Sequence, residues 1–268
     1  MNARLSVWTS YYIDLGPEDA VHELKKHGIN AAELSDEHGY MLLQRGDPEK
    51  VGSEFRKFAE REGVEISQGH LWLSCRICDE GAVETLGDWL VLYNAIGIKN
   101  AVLHCDSIAG RPELTMNERY ALNLQALKKI QDIAEGLDIR ICLENLTRIC
   151  LNAGDINGLI DELDESRFGI CLDTGHLNLC EGSQRDFVLS AGSRLHALHI
   201  ADNEGKTDQH MMPFGKGNVD FAQVVDALRE VDYDGLFNYE IPGERLAPLE
   251  IRGYKLEYIR KCFDYMMK

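Results

Sequence analysis

Positive charge is scarce in this chain. Of 268 residues, 28 are lysine or arginine against 45 aspartates and glutamates, a formal net charge of −17. Such a field repels polyphosphate at long range, which points away from nucleic acid as a partner without excluding one local metal-rich face. Apolar runs long enough to cross a membrane are lacking as well, and "MNARLSVWTS" has no basic-then-apolar leader layout. A cytoplasmic, membrane-free protein is the expectation. The eight cysteines do not form a disulfide framework: Cys105, Cys142 and Cys171 sit in apolar strand-like runs, as reduced cysteines do. "CRIC" (Cys75, Cys78) has metal or redox spacing but no second pair, so we read these two as incidental thiols. No glycine-rich phosphate turn follows the first strand-like segment, "SVWTSYYIDLG", which counts against an open doubly wound sheet.

What is present is a repeated unit. Short strand candidates start near Arg4, Ile29, Val64, Asn100, Asp138, Phe168, Leu195 and Gly235, and amphipathic segments separate them. Pro17 and Gly28 bracket one helix, Asp47–Pro48 and Gly63 bracket another, and Gly136 closes a longer one. No linker or change of composition divides the chain. Eight strand–helix units of 268 residues predict an α/β fold, a (β/α)8 TIM barrel spanning 1–268 as a single domain.

Several of these strands end on metal-ligand residue types. "CLENLTR" reaches Glu144, "GICLDTGH" reaches Asp173 and His176, "LHALHIAD" reaches His199 and Asp202, and "LFNYEIP" reaches Glu240. Side chains alternate across a strand, so Arg140, Cys142 and Glu144 share one face while Ile139, Ile141 and Leu143 share the other. The apolar set is expected against the helices and the small or polar set toward the barrel axis, ending at the carboxyl rim where barrel active sites are built. Glu144, Asp173, His199 and Glu240 would then converge, and a divalent cation relieves the repulsion among such carboxylates. Three carboxylates and one imidazole suit Mn²⁺, Mg²⁺, Co²⁺ or Zn²⁺.

Other residues keep open roles. His176, Asp208 and His210 are ligands, partners that orient ligands, or polar loop residues; His70 and His104 are ligands, substrate contacts or mouth histidines. His196 has the opposite parity to His199 and is expected to face a helix. His22 and His27 read as solvated on the first helix, and His38 as a loop residue near the mouth. Trp8, Tyr11 and Trp72 fit either a wall of the site or the core. Arg148 and Lys206 are nearby cations that surface placement explains equally well.

"LENL", "LDTGH", "HIAD" and "DQHMMPFGKGNVDF", together with Glu240, resemble the xylose isomerase-like barrel superfamily. The likeness is greatest to its sugar phosphate isomerase/epimerase members, grouped with family 2 AP endonucleases. Its specific motifs lie between residues 142 and 242. The resemblance implies that Glu144, Asp173, His199 and Glu240 hold one divalent metal. It also implies that Glu144 and Glu240 are the catalytic pair, moving a proton through a metal-stabilised enediolate of a small carbohydrate. Endonuclease IV shares the barrel and uses three zinc ions; its ligand types overlay His70, His104, Glu144, Asp173, His176, His199, Asp208, His210 and Glu240, so two or three zinc ions stay open. Inosose and 3-dehydroshikimate dehydratases share the scaffold too, and shared scaffold does not select a reaction. Homo-oligomerisation is left open by the sequence.

Overall fold

In a computed structural model, which describes residues 1–180 and 182–268, eight parallel strands close into a barrel in sequence order. They are β1 (Arg4–Trp8), β2 (Ala31–Leu34), β3 (Glu65–His70), β4 (Asn100–Leu103), β5 (Arg140–Glu144), β6 (Phe168–Asp173), β7 (Leu195–Ile200) and β8 (Leu236–Tyr239). Ten helices surround them among the described residues. α1 to α5 are Pro17–Lys26, Asp36–Leu43, Pro48–Glu62, Ala82–Ile96 and Met116–Ile133; α6 to α10 are Ala153–Ile160, Thr174–Asn178, Gln184–Ala191, Phe221–Glu230 and Leu249–Met266. None of the described helices is long and apolar enough to cross a membrane.

The helix ends follow local chemistry. In α3 the Asp47 side chain accepts from Lys50 N at 2.8 Å, Pro48 occupies the first turn, and Gly63 stops the helix at φ +67°. That left-handed backbone carries a steric cost for a side chain with a Cβ. Thr115 and Glu118 form a reciprocal capping box on α5.

Strand parity divides the interior in two. Ile141, Leu143, Ile170, Leu172, Leu198, Phe237 and Tyr239 belong to the large core between sheet and helices, whereas Val102, Cys142, Cys171 and Ala197 form a separate cluster inside the barrel. Opposite that cluster the lining is polar: Ser6, Glu33, Gln68 and Asn238 are all fully buried.

One strand departs from simple alternation. The β6–β7 register slips between the Ile170–Leu195 and Cys171–Ala197 pairs, which makes His196 the extra residue of a bulge. Its Cδ2 lies 2.6 Å from where a Cβ on Gly169 would stand, beside Arg140 Cδ at 2.9 Å. Gly169 shares the axial face of β6 with Cys171 and Asp173, so His196 turns into the amino end of the barrel rather than toward a helix.

Candidate metal centre

At the carboxyl rim the four strand-end donors meet. Ligand atoms of Glu144, Asp173, His199 and Glu240 all lie within 4.8 Å of one another, and all four residues are buried. His199 Nδ1 is 3.3 Å from Glu144 Oε2 and 3.4 Å from Glu240 Oε2.

Two atoms of this set are left without hydrogen-bond partners: His199 Nδ1 and Asp173 Oδ2. A buried polar atom without a partner costs on the order of 1–3 kcal/mol, so two of them facing one point fit a bound cation. Asp173 is also held by its other oxygen. Asp173 Oδ1 accepts from His176 N at 2.6 Å, where Asp173 caps α7. Asn145, the residue after Glu144, exchanges hydrogen bonds with the Asp173 backbone.

Two further groups flank the four. On one side, His70 Nε2, His104 Nε2 and Glu144 Oε2 lie 3.0 to 3.5 Å apart. On the other, Asp208 bridges two rings, with Oδ2 3.1 Å from His176 Nε2 and Oδ1 3.1 Å from His210 Nε2. Backbone carbonyls hold the far nitrogen of three of these histidines: His70 Nδ1 on Leu71 O at 2.6 Å, His176 Nδ1 on Asn145 O at 3.1 Å, and His210 Nδ1 on Glu240 O at 2.8 Å. His70 thus presents Nε2 to Glu144 and His210 presents Nε2 to Asp208, the arrangement that orients imidazole ligands. His176 turns Nε2 to Asp208, and its Nδ1 also lies 3.0 Å from Glu144 Oε1. His210 reaches it from a left-handed backbone (φ +42°) rather than an extended one.

The electrostatics show a site that attracts positive charge. Burial opposes charging the rings, yet the carboxylates outweigh it: Asp173, Asp208 and Glu144 push His176 up to about 12, Asp208 and Glu240 push His210 up to about 10, and Glu144 pushes His70 up to about 9. For His104 burial prevails and its pKa falls. Burial, with help from Glu144 and Asp173, lifts Glu240 to about 8. Glu144 is held well below the usual carboxylate range, since His199 and His104 overcome its burial.

The remaining candidates separate. Trp8 walls the site: its ring stacks on His210 with centroids 6.5 Å apart, and Nε1 donates to Ile241 O at 3.1 Å. Tyr11 is core, donating to Arg252 O at 2.7 Å, and Trp72 is exposed. His38 is not in a loop; it is fully buried on α2 with Nε2 3.1 Å from Leu15 O, away from the donors. His22 is exposed beside Glu62, whereas His27 packs against Gly253 of α10. Asp202 turns from the cluster, accepting from the N–H groups of Asn203 and Val219. Cys75 and Cys78 are free thiols in the turns after β3. Lys206 is exposed. Arg148 lines a cleft of about 440 Å³ with Arg76, His104 and His176.

The sequence reading passed over Glu33. It is fully buried on β2, with Oε1 3.0 Å from His199 Nε2. Its signal was a carboxylate inside "AAEL", an otherwise apolar strand.

Comparison with known proteins agrees with the architecture. The chain is 33% identical over 144 residues to the L-ribulose 3-epimerase of Methylomonas sp. strain DH-1, covering 52% of this chain and 48% of that protein. It is 31% identical over 113 residues to the D-psicose 3-epimerase of Enterocloster bolteae, covering 41% and 36%. The chain spans about half the length of the curated relatives it matches. A D-psicose 3-epimerase from Clostridium cellulolyticum H10, solved with D-tagatose, superposes with a TM-score of 0.83 over 99% of both chains at 15% identity, which shows the shared fold. The xylose isomerase-like TIM barrel model matches residues 21–262, and the chain belongs to that family.

Proposed function

We propose that the chain is a divalent-metal-dependent isomerase or epimerase of a small carbohydrate. The observation that carries this is the placement of Glu144 and Glu240. They stand at the end of β5 and just past β8, which are not neighbouring strands, with Glu144 Oε2 3.3 Å and Glu240 Oε2 3.4 Å from His199 Nδ1, inside one donor set with Asp173. Glu144, Asp173, His199 and Glu240 would hold the cation, which would supply positive charge beside a carbonyl and an adjacent hydroxyl and so favour loss of the intervening carbon's proton. The two glutamates flank the place where that carbon would lie. One takes the proton and the other returns one, to the opposite face for epimerisation; positioned acid–base groups contribute typically ~10²–10⁴-fold. Trp8 would exclude water, and His176, which lines the cleft, would reach a substrate hydroxyl only by giving up its contact with Asn145 O or with Asp208. The epimerase names of the relatives support the same class.

The test is an exchange screen with purified protein, Mn²⁺ and a panel of ketoses in D₂O, followed by proton NMR. Loss of one α-proton signal with appearance of the epimer or isomer is expected. A product that has lost water instead would move the chain to the dehydratases of this scaffold.

A second reading is favoured by the two flanking groups, His70–His104–Glu144 and His176–Asp208–His210. They could hold two more cations, a three-zinc arrangement suited to phosphodiester hydrolysis. Metal counting by plasma emission, with an abasic-site nicking assay, separates the two. One equivalent of metal and no nicking favours the isomerase; two or three equivalents with nicking overturns it.

A further inference from the structure

β2 contributes no ligand to the four-residue donor set, yet it places one carboxylate directly beneath it. Glu33 is fully buried on the barrel axis, where an unpaired charge would be strongly disfavoured. Three polar side chains converge on it instead. His199 Nε2 lies 3.0 Å from Oε1, Gln68 Nε2 donates to Oε2 at 3.1 Å, and Asn238 Nδ2 also donates to Oε2. The Asn238 amide is itself oriented, because the Ser6 hydroxyl donates to its Oδ1 at 2.8 Å. Its NH₂ must therefore point at Glu33.

An ionised carboxylate only accepts hydrogen bonds, whereas a neutral imidazole carries one N–H and one lone pair. A proton held on Nε2 by Glu33 leaves the lone pair on Nδ1. That is the nitrogen with no hydrogen-bond partner, 3.3 Å from Glu144 Oε2 and 3.4 Å from Glu240 Oε2. From this geometry we infer that Glu33 is the positioning residue of the metal centre. It fixes His199 as the Nε2–H tautomer and sets the plane of the ring, so that Nδ1 faces the cation. The inference rests on the metal-dependent reading above and adds the group that makes one of its ligands competent.

The chemistry distinguishes this role from simple filling of space. In Glu33→Gln one oxygen becomes an NH₂. If the remaining oxygen faces His199, the new NH₂ meets the donors of Gln68 and Asn238; if it is turned round, it meets His199 Nε2–H. Either orientation sets donor against donor; turning the Gln68 amide to offer its unpartnered Oε1 relieves only part of this, because the Asn238 amide bonded to Ser6 still donates. The double variant Glu33→Gln/Asn238→Asp restores an acceptor for the new NH₂ and still accepts from Ser6.

The experiment measures Zn²⁺ affinity by competition with a chromophoric chelator. It also records the His199 tautomer in Zn²⁺-loaded, ¹⁵N-histidine-labelled protein by long-range ¹H–¹⁵N correlation NMR. Removing such a partner typically weakens metal binding by about 10–100-fold. We expect that loss in Glu33→Gln and at least partial recovery in the double variant, with His199 protonated on Nε2 in the unsubstituted protein. An affinity in Glu33→Gln within about threefold of the parent would overturn the inference, as would a His199 proton on Nδ1. The tautomer measurement needs no variant, so a substitution that fails to fold leaves the inference falsifiable. The two levels separate cleanly. A parent protein that binds no divalent cation sinks the metal reading and this inference together, whereas binding unaffected by Glu33→Gln sinks only the inference.

Discussion

Asn145 and Asp173 exchange two hydrogen bonds between the ends of β5 and β6: Asp173 N donates to Asn145 Oδ1 at 2.8 Å, and Asn145 Nδ2 donates to Asp173 O at 3.0 Å. Both residues are fully buried. The pair continues the sheet by one side-chain rung and fixes where the Asp173 carboxylate leaves the strand. Asn145→Ala strips both partners from a buried backbone N–H and C=O, a loss of about 1–3 kcal/mol for each group left unsatisfied. The expected outcome is a lower urea midpoint at unchanged m-value and weaker metal binding. A midpoint equal to the parent's would show that water replaces the amide.

Glu144 and Asp173 were readable in sequence because each ends a strand whose period-two alternation is clean. Arg140, Cys142 and Glu144 against Ile141 and Leu143 gave both the face and the end of β5. The same pattern in β6 placed Asp173, and every strand start fell within two residues of its observed position. Glu33 escaped because β2 is only four residues long and runs at once into the polar "SDEHG" that starts α2, so its alternation is too short to read. His196 was misplaced because a bulge is set by how two strands pair, which no single strand's pattern contains. His38 was misassigned for a similar reason, since the extra helix α2 between β2 and α3 buries it by packing.

His196 also makes stability depend on pH. Burial, reinforced by the Arg140 guanidinium, lowers its pKa from 6.5 to about 4. His38 is lowered in the same direction by burial. Between about pH 6.5 and 4 the unfolded chain takes up a proton that folded His196 refuses, so its contribution is complete above 6.5 and is lost as pH falls toward 4. Urea titrations at pH 7, 6 and 5 should show His196→Asn losing less stability on acidification than the parent does. An identical pH slope in the two proteins would contradict the assignment.

Chelation should destabilise the fold measurably. The donor set leaves His199 Nδ1 and Asp173 Oδ2 without partners, and a cation that binds only the folded state stabilises it by mass action. At free metal one hundred times Kd, that linkage is worth ~2.7 kcal/mol, roughly 5–11 °C in thermal midpoint for a chain near this length. Scanning calorimetry with EDTA and with added Mn²⁺, Co²⁺, Zn²⁺ and Mg²⁺ checks this and ranks the metals. No midpoint shift with any of the four would remove the metal centre.

Glu144 and Glu240 distinguish proton transfer from mere ligation. Glu144→Gln and Glu240→Gln keep the shape of the side chain and one oxygen that can face the cation, but neither amide can act as a base. If each glutamate handles a proton, turnover of the identified substrate should fall by about 10²–10⁴-fold with metal still bound. The solvent isotope then divides the work. If Glu144 is the base, Glu144→Gln abolishes deuterium uptake from D₂O, whereas Glu240→Gln permits exchange at the carbon while blocking release of the epimer. The reverse pattern assigns the roles the other way. Full turnover in metal-loaded Glu144→Gln would end the proton-transfer mechanism, because no second carboxylate on β5 could take its place.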